Sequence, residues 1–169
     1  MRHFLMVSLL FILAIAPSGI SAQTSVSGIN VGPHGNDFFI GTWTCRNSIP
    51  SAGFPALVKT TATRSASSPS DIFIRSSAQG YDASGFLHYD AKTQTWWGPT
   101  TVSSGDTISE STRQTGKTTV WNGTMTGASG TVKIRDTFVQ PDMRSYSDTT
   151  EIQSTGAWKT VTKATCTKS

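Results

Sequence analysis

From Asp37 onward the chain never runs more than 13 residues without a turn signal. Breaks fall at NSIPSAG (47–53), SSPSD (67–71), YDASG (81–85), DAKTQ (90–94), SSGD (103–106), QTGK (114–117), GASG (127–130), QPDM (140–143) and STGA (154–157). Each is built from Gly, Pro, Asn, Asp or Ser, the residues that supply turn dihedrals or cap a turn with a side chain. The segments between them are rich in Thr, Ser, Val, Ile and aromatics, and apolar residues at helical spacing are confined to the first 16 residues. Such spacing leaves room for strands joined as hairpins and little room for helices. Nine breaks predict an all-β antiparallel up-and-down meander of about ten strands. A meander has two exposed edges, and closing it into a barrel removes both.

The only two cysteines support closure. Cys45 ends "FFIGTWTC" and Cys166 ends "AWKTVTKATC", so each follows a Trp at the two ends of the predicted meander. Alternate residues of a strand share a face. Phe39, Gly41, Trp43 and Cys45 then point one way on the first strand, and Trp158, Thr160, Thr162, Ala164 and Cys166 point one way on the last. Lys159 and Lys163 point the other way, to water. A Cys45–Cys166 disulfide would staple the seam, with both Trp residues inside. Free or metal-binding thiols are the competing reading, and neither Cys has another Cys or His near it in the sequence.

The compartment follows from the first 22 residues, "MRHFLMVSLLFILAIAPSGISA". A basic start, an apolar run from Phe4 to Ala16, Pro17 and small residues at Ser21 and Ala22 describe a secretory signal peptide cut after Ala22. The run is shorter than the roughly 20 residues of a spanning helix, which argues against an uncleaved anchor. The mature protein is expected to be secreted or periplasmic, where paired cysteines persist. Residues 23–37, small and Gly-rich, are expected to form a flexible arm, leaving 38–169 as the barrel domain. The formal charge of +4 falls to +3 without Arg2. The remaining Lys and Arg are scattered, which excludes a nucleic-acid footprint.

"GTW" at Gly41–Trp43, opening the first strand of such a meander, resembles the Gly-x-Trp signature of the calycin superfamily of lipocalins, fatty-acid-binding proteins, avidins and nitrobindins. The stretch 38–168 is similar to bacterial secreted or periplasmic proteins with lipocalin-like barrels. The resemblance implies a calycin-like barrel with Trp43 near a closed end and a small hydrophobic molecule as partner. Lipocalins also carry a Thr-Asp-Tyr-like turn motif and an Arg packed on the first-strand Trp, and neither has an evident place in this sequence. Nitrobindins hold haem through a late-strand His. Beyond the signal segment the only histidines are His34 and His88, so no haem or other cofactor is expected.

Inward parity nominates Trp43, Trp121, Met125, Phe138, Tyr146 and Trp158 as ligand-binding residues; the competing reading is that they simply fill the core. Val132, Ile134 and Phe138 share the inward face of the strand TVKIRDTF, which also turns Asp136 inward. A buried carboxylate needs a partner, and Arg144 and Tyr146 are the candidates, unless Asp136 lies near a barrel mouth or a bulge resets the parity. His88 and Asp90, two apart on one face, suggest a base with its orienting acid or half of a metal site, yet no third group accompanies them. Neither catalysis nor a metal is expected. Adjacent Trp96 and Trp97 should face opposite ways. Two functions remain: a barrel binding a small, partly apolar ligand in its interior, or a filled barrel meeting a protein or the cell envelope through its surface.

Overall fold

The computed structural model describes residues 32–50 and 54–169. The expected signal peptide and residues 23–31 of the expected arm lie outside the described residues. Among the described residues ten strands follow one another: β1 (Gly41–Asn47), β2 (Leu57–Arg64), β3 (Asp71–Ala78), β4 (Tyr81–Asp90), β5 (Thr95–Val102), β6 (Thr107–Thr112), β7 (Thr118–Gly127), β8 (Gly130–Asp142), β9 (Ser145–Gln153) and β10 (Trp158–Lys168). Each is antiparallel to its chain neighbours, and β10 returns to pair with β1, closing the barrel. Cys45 stands directly opposite Cys166 across this seam, and the two form a disulfide.

Eight of the nine sequence breaks coincide with turns or connections. The exception is YDASG, which lies within β4; the turn is two residues earlier, at Gln79–Gly80. Gly80 adopts φ +73, open to glycine at no steric cost, whereas Asp82 extends along the strand and meets Arg75 across it. DAKTQ is a true Asp-initiated turn, in which the Asp90 carboxylate accepts from the Lys92 and Thr93 backbone N–H groups and from the Thr93 hydroxyl.

The end of the barrel at which β1 begins is plugged. Phe38 and Phe39, expected in the first strand, instead form a one-turn 3-10 helix, Asp37–Phe39, with both rings buried. The Trp43 indole N–H donates to the Phe39 carbonyl at 2.7 Å, and an ion pair from Asp37 to Arg64 ties the turn to the end of β2. Residues 32–36, within the expected arm, form turns that carry the fully buried Asn36.

The inward face of β10 differs from the sequence reading. Its pairing with β9 slips between Thr160 and Thr162, so one extra residue reverses the alternation. Thr162, Ala164 and Cys166 face in as expected. Trp158 does not: it packs under the Arg135 guanidinium, 4.5 Å from the ring centre, and Arg135 alternates with inward Ile134 and Asp136 and pairs with Glu151 on the outer side.

Candidate functional site

A cavity of about 250 Å³ occupies the barrel interior. Its floor is the aromatic cluster at the plugged end. The Tyr146 ring lies 4.8 Å from Trp43, 5.6 Å from Phe39 and 6.0 Å from Phe138 between centroids, in edge-on or tilted contacts. Such geometries add to the burial of the rings themselves. Trp121 forms part of the wall, and the disulfide lies beside the floor, with Cys45 Sγ 3.6 Å from the Tyr146 hydroxyl. Phe54 and Pro55 reach the cavity from the β1–β2 connection at the far end, where the Asn47 side-chain amide donates to the Phe54 carbonyl.

Of the six nominated ligand residues, the structure brings Trp43, Trp121, Phe138 and Tyr146 to this cavity. Met125 keeps inward parity, opposite Ile108 and Val132, but stands near the far end of β7 and does not line the cavity. Trp158 is excluded from it by the slip in β10.

Three carboxyl groups share the cavity with these rings: Glu110 from β6, Asp136 from β8 and Asp148 from β9. Asp136 faces inward as its parity requires, but its companions are neither Arg144, which sits in the β8–β9 turn, nor Tyr146. Its neighbours are Glu110 and the Thr150 hydroxyl, and two carboxyl groups that share a hydrogen bond require that one keep its proton. One oxygen of each acid, Glu110 Oε1, Asp136 Oδ1 and Asp148 Oδ1, is sealed from solvent without a hydrogen-bond partner. Among the described residues lining the cavity there is no Lys, Arg or His.

Burial without a counter-charge raises the affinity of all three acids for their protons. Desolvation, reinforced by the Asp136 and Asp148 carboxylates, pushes Glu110 up to about 10. Desolvation also raises Asp136, against the opposing bonds from Thr150 and Glu110, and it raises Asp148 well above the carboxylate range with Asp136 adding to the effect. The same two causes, burial first and the neighbouring acids second, raise the Tyr81 and Tyr146 phenols.

Only Asp136 of this trio was evident in the sequence. The signal for the others was the same parity: Ile108, Glu110 and Thr112 share one face of β6, and Tyr146, Asp148 and Thr150 one face of β9. An acid in phase with inward aliphatic and aromatic residues is an acid in the interior.

His88 lies on the opposite side of the wall. Between inward Leu87 and Tyr89 it faces out, and its Nδ1 is 2.6 Å from Asp71 across the β3–β4 pair rather than bonded to Asp90. The hydrogen bond from His88 lowers the pKa of Asp71. Trp96 is fully buried while Trp97 is 43% exposed beside Phe86 and near the exposed Phe73. Among the described residues no group of three His, Cys, Asp or Glu side chains is placed to hold a metal ion, and no helix is long and apolar enough to cross a membrane. Compared with known proteins, the sequence matches no family model and no curated protein.

Proposed function

We propose that this protein binds a small, partly apolar molecule inside a calycin-like barrel, in a secreted or periplasmic setting, and performs no reaction on it. The observation that carries the reading is the cavity above the Trp43–Tyr146–Phe138 floor. An apolar cavity of ~150 Å³ is large enough for benzene, so about 250 Å³ accommodates a ring with a short substituent. Two further features support the calycin likeness. The Gly41–Trp43 strand opens beside a plugging 3-10 turn, and Lys168 of the last strand holds its ammonium 5.1 Å from the centre of the Trp43 ring, where lipocalins place an Arg. The disulfide suits an oxidising compartment. No reaction is assigned because the outward His88–Asp71 pair lies away from the cavity.

Native mass spectrometry of the oxidised protein, before and after unfolding, tests the proposal. A small bound mass that leaves on unfolding, and that is absent from a cavity-filling Ala164→Phe variant, is the expected result. A mass that persists in the filled variant, or a protein that carries none and takes up no small aromatic molecule, would sink it. The exposed Phe73 and Trp97, with half-buried Phe86 beside them, favour a second reading, in which the outer face of β3–β5 meets a protein partner. There, Trp97→Ser would abolish association and leave the interior untouched.

A further inference from the structure

We infer that the interior ligand is an organic cation, a protonated amine on an aromatic or apolar frame, with its charge held by Glu110, Asp136 and Asp148. This inference rests on the interior-binding reading and names its ligand class. Three independent strands contribute an acid to one small cavity, and one oxygen of each acid has no hydrogen-bond partner. Buried polar groups in proteins are almost always paired, because an unmade hydrogen bond costs the full desolvation of the group. Carboxyl groups from three strands line this one space and offer acceptors to the N–H donors of an ammonium. A second feature, outside the acidic group, points the same way. Trp121, which lines the cavity and stands opposite Asp136 across the β7–β8 pair, is 3% exposed, and its buried indole N–H has no partner either. A π face or a hydroxyl on the ligand would accept it.

The geometry favours an organic cation over a metal, since among the described residues no three acids converge as metal ligands must. The aromatic floor supplies what a metal would not use, namely apolar contact for a ring and π faces for a charge. A purely apolar molecule would leave the unpaired oxygens without partners.

Binding is then an exchange of cation for proton. The titratable groups facing the space are Glu110 of β6, Asp136 and Asp148 of β8 and β9, Tyr81 of β4 and Tyr146 of β9, and every one of them holds its proton more firmly than usual. The entering ammonium keeps its own proton, and at least one carboxyl proton leaves to solvent. Releasing one proton makes affinity rise about tenfold per pH unit while the amine remains charged.

Isothermal titration of the oxidised wild-type protein with tryptamine and phenethylamine tests this, set against the neutral methyl isosteres 3-propylindole and propylbenzene. Titrations at pH 6.5, 7 and 7.5, in phosphate and in MOPS, count the protons released. The expected result is an amine bound at least tenfold more tightly than its isostere, with affinity rising with pH and a proton appearing in the buffer. Glu110→Gln and Asp136→Asn should bring amine and isostere to equal affinity. Isosteres that bind as well as the amines would overturn the cation and leave interior binding standing. Failure of amines and isosteres alike, at millimolar concentration, would overturn both. If either variant fails to fold, the pH dependence and proton release of the wild type still decide: affinity independent of pH, with no proton released, refutes the exchange.

Discussion

Trp43 and Glu110 show how differently two buried side chains act on the same barrel. Trp43 is fully buried, is hydrogen-bonded to Phe39 and is capped by Lys168. Trp43→Ala should cost ~3–5 kcal/mol, the range for aromatic truncation in a core, read as a shift in the denaturant midpoint. Glu110 has the opposite sign at neutral pH. The unfolded chain releases its Asp and Glu protons near pH 4, whereas the folded state keeps them on Glu110, Asp136 and Asp148 to much higher pH, near 10 for Glu110. Folding therefore takes up protons across this window, and stability falls as pH rises through it. Thermal melts from pH 4 to 10 should show Tm declining with pH in the wild type. Glu110→Gln should flatten that decline; a slope unchanged by the substitution would mean that Glu110 is ionised in the fold.

At the scale of strands and turns, two glycines separate two kinds of constraint. At Gly80 an added Cβ meets nothing within 4 Å, and only its φ of +73 resists a side chain. Gly80→Ala should thus cost ~1–2 kcal/mol. At Gly123 in β7 a Cβ would lie 1.9 Å from the Ser109 carbonyl oxygen and 2.7 Å from the Glu110 Cα. Gly123→Ala has to part β6 from β7 and should destabilise more than Gly80→Ala in chemical unfolding. Much at this scale was legible beforehand. The parities of β7 and β8 were readable because their alternation is unbroken through Trp121, Ile134 and Phe138. Trp158 was not, since the slip at Thr160–Thr162 belongs to a pairing and leaves no trace in one strand's residue order. YDASG looked like a turn because Asp and Gly occur in strands as well as in hairpins; Gly80 carried the bend. The carboxyl trio stayed hidden for a third reason, that three separate strands had to be phased together before Glu110 and Asp148 met Asp136.

For the molecule as a whole, the disulfide closes a sequence separation of 121 residues. The chain-entropy model assigns such a loop about 5 kcal/mol of stabilisation. A Cys45→Ser, Cys166→Ser double variant should unfold at correspondingly lower guanidinium concentration than the oxidised protein, and adding reductant should then leave its midpoint unmoved. Nine of the ten strand pairings join neighbours in the chain, and the tenth joins the first strand to the last. Hairpins of the first kind can form while synthesis is still under way, since each closes over a short loop. The seam has to wait until β10 has emerged and docked beside β1. The sulfur–sulfur bond across that seam is thus a record of barrel closure: a molecule cut short before Cys166 keeps Cys45 as an unpaired thiol, which a thiol-reactive label would tell from the closed form.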